Sequence, residues 1–304
     1  MDGFKNDISK PVFVLAATNY NVEPGTSKSL DGALLRRFDR RLYIDRPKRD
    51  DRLRFMQMKV KKNPAFVISE EKMNNLAMRS TGMSLADLES VFELALRSAI
   101  RVGEVKVTDA VLDEAFEVFT YGEKTDWDAS QLERVARHEA GHALLCMCAG
   151  ETPSYVTIIS RGDHGGYVQH ADNEGKAIYT KEELLARIRT SLAGRAAELV
   201  YYGEKDGVST GASGDLQNAT RLATHLLCSY GMDDTFGLAV IDPDNVGMSA
   251  LVHEAVKKIL NEQMLETVRL ILDKKAVMDR MVAVLLQENQ LSGERIKAIF
   301  DGLE

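Results

Sequence analysis

The chain has 304 residues, of which 44% are hydrophobic and 28% charged, with a net charge of -7. That is an ordinary globular balance with length for about two domains, and the negative sign argues against general affinity for nucleic acid or anionic lipid. No apolar run approaches the roughly 18 residues that cross a bilayer, no charged-then-apolar leader opens the sequence, and three cysteines exclude a disulfide framework and fit a reducing compartment.

Residues 11–19, PVFVLAATN, read as a buried strand, because a continuous apolar run ends at a polar tip. A loop with Pro24 and Gly25 follows, then a short helix over 30–38 and a second strand over 41–44, ended before Pro47. Two strands and one helix cannot close a core in 45 residues, so residues 1–45 read as part of a domain whose start is missing. Residues 46–124 predict four short helices: 49–60; 69–79, capped by Ser69 with Glu70 and Glu71 in the first turn; one opened by Ser84 with Asp87 as a capping-box acid; and one from Thr108. The polar break at 122–128 marks a domain boundary. A helix over 129–149, stopped by Gly150, leads into strands over 155–160 and 166–170, a hairpin. Helical spacing resumes over 181–202, 215–230, 249–286 and 292–300, and the length of the third predicts a break. The fold class is mainly α (α+β).

Within the 129–149 helix stands Arg137-His138-Glu139-Ala140-Gly141-His142. Residues i and i+4 share a helical face about 5–6 Å apart at Cβ, so His138 and His142 can direct ring nitrogens at one ion. Glu139 lies about 100° further round, placed to take a proton from water on that ion without ligating it. The chemistry is peptide hydrolysis. Two solvated histidines are the bland alternative. Against it, Ala140, Gly141 and Ala143 admit a close neighbour, and Leu132, Val135, Ala136 and Leu144 give the helix a buried side. A catalytic zinc takes three protein ligands. Cys146 is excluded as the third, because the helix rises about 12 Å from residue 138 to 146; Cys146 and Cys148 read as core thiols. Glu198, inside a helix, and Asp215, after the small-residue stretch 207–214, compete for that position. Spacing leaves the choice open, since an Asp at a helix start also serves as a cap. His164, His170, His225 and His253 have no partner spacing that suggests a metal.

Taken together, HEAGH, VTIISRG, LAGRAAE, STGASGDLQNAT and YGM, in this order across 128–304, resemble the peptidase domain of the FtsH family of ATP-dependent zinc metalloproteases. The resemblance implies Zn2+ held by His138, His142 and Asp215, with Glu139 as general base and Glu198 as a supporting group beside the ligands. It also implies a mostly helical peptidase domain over 125–304, with unfolded or membrane proteins bound extended along a short strand. Val156, Thr157, Ile158, Ile159 and Ser160 are the expected edge, where strand addition suits sequence-tolerant binding.

The first 124 residues resemble the second half of an AAA ATPase module, through MDGF, AATN, LLRRFDRR and GMSLADL. Residues 1–45 are then the tail of the α/β subdomain and 46–124 the four-helix lid. Asn19 is implied as a nucleotide sensor, and Arg36 and Arg37 as arginine fingers acting in a neighbouring subunit; charge patterning alone favours a solvated face. The usual Pro-Gly between the finger arginines is absent, and the loop 21–29 is long. No G-x-x-x-x-G-K-[ST] motif exists here, so ATP and Mg2+ are expected only in a full-length family member. The family assembles as a hexamer at the cytoplasmic face of the bacterial membrane, which implies a homo-oligomer, with no membrane segment in these residues themselves. The rival is a non-hydrolytic assembly module with a structural zinc site, which has no need of Glu139.

Overall fold

A computed structural model describes residues 14–19, 30–125, 128–162, 165–169, 176, 178–242 and 249–303. It divides into two units, residues 1–46 and 47–304.

In the first unit, helix α1 (Gly32–Leu35) starts at Asp31, whose carboxylate accepts from the Ala33 amide, and buries Leu35. The guanidinium of Arg41 donates to the Leu35 carbonyl at 3.1 Å. Neither expected strand forms among the described residues: 14–19 and 41–44 join no ladder. Leu42, Tyr43 and Ile44 are 80–90% exposed. An apolar run becomes a strand only where a partner strand takes its backbone groups and a layer covers its side chains. The MDGF segment and the loop 21–29 lie outside the described residues.

The second unit opens with α2 (Arg49–Lys62), β1 (Phe66–Val67), α3 (Glu70–Arg79), α4 (Leu85–Arg101), β2 (Val107–Thr108) and α5 (Asp109–Tyr121). Ser69 caps α3, and Ser84 with Asp87 forms a capping box on α4. Amphipathic spacing turns Leu76, Leu88, Phe92, Leu112 and Phe116 into one core. Arg52 is fully buried in this segment. It is tolerated because it donates to the carbonyls of Ala77 (2.7 Å) and Pro47 (2.9 Å) and to the Ser80 hydroxyl. The two-residue strands β1 and β2 pair in parallel and tie the two ends of this segment together.

The remainder is α6 (Ala129–Cys148), β3 (Tyr155–Thr157), β4 (Tyr167–Gln169), α7 (Lys181–Asp206), α8 (Ser213–Cys228), α9 (Ser249–Asp273), α10 (Lys275–Glu288), β5 (Gln290–Ser292) and α11 (Gly293–Phe300). A Thr180–Glu183 capping box opens α7, and Gly203, at φ 72°, kinks its last turn. The predicted break in the long helix falls at Lys274, between α9 and α10. Ala136, Ala140, Leu144, Ala193, Ala197, Met281 and Leu285 form one core, and Ile188, Leu192, Leu226 and Ile259 belong to a second. No helix among the described residues is long and apolar enough to cross a membrane.

The hairpin forms, but the sheet has three strands in the order β4-β3-β5, and this corrects the expected substrate edge. Val156 and Thr157 lie on the middle strand, paired antiparallel on both sides. The Ile158 amide donates to the Asn289 carbonyl at 2.9 Å, and the Ile159 amide donates to the Thr157 hydroxyl. Ser160 exchanges hydrogen bonds with Thr125. Residues 156–160 therefore offer no open edge. Among the described residues the edge strand on the hairpin side is β4.

Candidate metal centre

Helix α6 carries His138, Glu139 and His142, each less than a tenth exposed. Helix α7 crosses it at close range because both helices present small residues. A Cβ on Gly141 would stand 2.8 Å from the Ala193 carbonyl oxygen, and one on Gly194 would stand 2.2 Å from His138 Nε2. Glycine at 194 is thus what makes room for the imidazole. Asp215, in the first turn of α8, completes the group.

One carboxylate oxygen of Asp215, Oδ2, lies 3.1 Å from His138 Nε2 and 3.2 Å from His142 Nε2. The ligand atoms of the three residues all fall within 4.8 Å of one another. Two donors each about 2.1 Å from one tetrahedral ion stand roughly 3.4 Å apart, so these spacings suit a shared cation. The far ring nitrogens are also engaged. His138 Nδ1 meets Glu198 Oε1 at 2.9 Å, and His142 Nδ1 meets the Thr190 carbonyl at 2.7 Å. Such contacts fix both rings with Nε2 turned to the centre. Glu198 is 1% exposed. Its other oxygen accepts from Arg134 at 2.7 Å, and Arg134 also donates to the Asp206 carbonyl at 2.9 Å. Arg195 donates to the Ser209 carbonyl. Arg195 therefore braces the small-residue stretch that delivers Asp215, and Arg134 holds the end of α7 just before it.

Electrostatically, the group asks for positive charge. Burial disfavours a charged His138, but the Asp215 and Glu198 carboxylates outweigh it and push the imidazole up to about 10. Burial would raise both acids, yet hydrogen bonds from His138, Ser209 and Arg134 bring Glu198 down to about 2. Contacts with the two histidines hold Asp215 well below the ordinary carboxylate range. The raised His138 and lowered Asp215 mark a point between Nε2 and the carboxylate where positive charge is favoured, so donor set and charge both fit a divalent cation there.

A cleft of about 690 Å³ opens over the centre, lined on one side by Gln131, Arg134 and Glu139 and on another by Tyr167 and Val168 of β4. Gly166 lets β4 approach: a Cβ there would lie 2.7 Å from the Thr157 carbonyl oxygen and 2.9 Å from Glu139 Cγ. The edge strand thus starts against the glutamate.

Of the residues singled out by sequence, the structure brings together His138, Glu139, His142, Glu198 and Asp215. Asn19, Arg36 and Arg37 belong to the other unit and are exposed there. Cys146 is buried, and burial with Glu151 nearby pushes its thiol up to about 12. Cys148 is only half-buried. His225 and His253 are exposed; His164 and His170 lie outside the described residues. Sequence reasoning does not single out Arg134, Thr190, Gly166 or Gly194. Only the two glycines carry a sequence signal, as small residues in a chain with a metal motif.

Residues 127–299 match Peptidase family M41. An ATP-dependent zinc metalloprotease FtsH 3 from Sphaerobacter thermophilus is 34% identical over 98% of this chain and 60% of its own length. An ATP-dependent zinc metalloprotease FtsH from Aquifex aeolicus is 37% identical over 86% of the chain and 43% of its own. The chloroplastic ATP-dependent zinc metalloprotease FTSH 6 of Arabidopsis thaliana is 32% identical over 98% and 45%. The chain spans about half the length of the curated relatives it matches.

Proposed function

The chain belongs to peptidase family M41, and from that premise we propose that it is a zinc-dependent endopeptidase acting on unfolded polypeptides. The observation that carries the reading is the convergence of His138, His142 and Asp215 on one point beside the buried Glu139, at the floor of an open cleft.

His138, His142 and Asp215 are the proposed ligands, with Glu198 and Thr190 orienting the two imidazoles. Zinc held there supplies a Lewis acid for the peptide carbonyl and brings the ionisation of water down to near neutrality. Glu139 is the proposed general base: it takes the proton of the attacking water and returns it to the departing amine nitrogen. Substrate is proposed to add as an extended strand to β4, whose Tyr167 and Val168 line the same cleft; main-chain pairing explains tolerance of many sequences.

Residues 1–45, 46–124 and 125–304 are proposed as the tail of an AAA α/β subdomain, an AAA lid and the peptidase domain. Separate cores of residues 56–116 and 136–299 support the second division. Asn19 and Arg36 or Arg37 are proposed to serve nucleotide bound by another copy in a homo-oligomer, a hexamer at the cytoplasmic membrane face. The resemblance of LLRRFDRR to such modules supports this, and the sequence has no phosphate loop of its own with which to hydrolyse ATP.

The deciding experiment is degradation of casein by the purified chain with and without a chelator, repeated with Glu139→Gln. Retained zinc with lost proteolysis supports the reading; unchanged proteolysis in the variant removes Glu139 from the mechanism.

A further inference from the structure

Among the described residues, strand β4 has three residues and pairs with one neighbour, and so short an edge strand is poorly held by its ladder. What fixes it comes from the helical segment 49–121. Tyr167 and Gln169 project on one face of the strand and Val168 on the other. Gln169 is held twice by Arg79. The Arg79 Nε donates to Gln169 Oε1 at 3.0 Å, and the Gln169 amide donates back to the Arg79 carbonyl. Tyr167 donates its hydroxyl to Glu117, which also pairs with Arg79, and its ring stacks on Tyr121 with centroids 3.8 Å apart. Arg79 is 2% exposed at its side chain and also pairs with Asp113 at 2.7 Å. Its guanidinium lies over the rings of Phe116 and Tyr155. Arg161, 3% exposed, stands 3.6 Å from Glu117 and supplies a second cation to the cluster.

We propose that Arg79 is a positioning residue for substrate binding: through Gln169, Glu117 and Tyr167 it clamps the edge strand β4 to α3 and α5 and so sets the edge on which a polypeptide adds. The inference rests on the strand-addition reading above. Arg79 lies 90 residues before Gln169 in sequence, so the clamp is a tertiary link between the helical segment and the cleft wall. Val168, on the opposite face, packs against the main core and lines the cleft. A displacement of α3 or α5 therefore reaches the cleft through β4, without passing through the metal ligands. Burial and the Glu117 carboxylate push the Tyr167 phenol upward, so it remains a donor at any working pH.

The test uses the intact chain carrying zinc, with Arg79→Met and the isosteric Glu117→Gln. Two quantities are read: amide hydrogen exchange along the chain, and kcat and KM for a long unfolded polypeptide. Losing a charge-assisted clamp bond is expected to speed exchange of the β4 amides that donate to β3 about tenfold or more. Exchange in α6 and α10 and zinc content should stay unchanged. KM should rise about tenfold with kcat within about twofold, and Arg79→Lys, which keeps the charge but not the fork, should fall between. Unchanged β4 exchange in both variants would overturn the proposal, as would a rise spread equally over α6 or a kcat that falls as far as KM rises. Should Arg79→Met fail to fold, Glu117→Gln tests the same clamp by the same two readouts. A parent chain that cleaves nothing would refute the peptidase reading alone, because β4 exchange still tests the clamp.

Discussion

Gly194 sits directly against the imidazole of His138, so close that a methyl group at 194 would overlap the ring at 2.2 Å from Nε2. The glycine has no side chain to ligate anything, yet the position of a metal ligand depends on what it lacks.

Gly194→Ala should therefore leave a folded helical protein with displaced His138. Loss of about tenfold or more in zinc affinity is expected, the scale seen when groups supporting a ligand are disturbed. Competition with a chelating dye, alongside far-ultraviolet circular dichroism, reads both; full affinity in a folded variant would refute the packing argument.

Asp215→Ala should abolish stoichiometric zinc, whereas Glu198→Ala should weaken binding about 10- to 100-fold by freeing His138 Nδ1. Metal analysis after gel filtration ranks the two. The reverse order would make Glu198 the ligand.

Zinc binding should release protons at neutral pH. His138 in the metal-free protein is pushed up to about 10, so near pH 7 it carries a proton that the metal displaces. Calorimetry in two buffers of different ionisation enthalpy should report about one proton per zinc, and none if His138 is already neutral. The same shift stabilises the metal-free fold below the ordinary histidine value near 6.5, and that contribution is lost as pH rises through about 10.

Phe92→Ala should cost about 3–5 kcal/mol, as for other large buried aromatics, because Phe92 is 2% exposed and packs edge-on against Phe66. Its core is built from residues 56–116, so zinc stoichiometry at room temperature should not change. Thermal unfolding and metal analysis on one sample check both halves.

Most helices are legible in the sequence because their signals are local. Ser69 and Ser84 mark starts, and apolar spacing marks the buried faces. His138, Glu139 and His142 are legible for the same reason, as three residues within two turns. The choice of Asp215 over Glu198 is not, since both reach His138 from other helices. Local signals mislead in the sheet, where pairing is nonlocal. Residues 156–160 look like an edge until Gln290–Ser292 arrives more than a hundred residues later to cover the second side of β3, and a three-residue strand has too few positions to show a period. The apolar runs at 14–19 and 41–44 show the converse: strand-like composition that joins no ladder among the described residues stays exposed.

His142 differs from His138 in what stands behind it. A side chain, Glu198, backs one ring, whereas the other leans on the main-chain carbonyl of Thr190. Every residue type brings that oxygen, so substitutions at position 190 alone cannot delete the support. Point mutation can remove the brace behind the first ring, whereas the one behind the second moves with the path of α7.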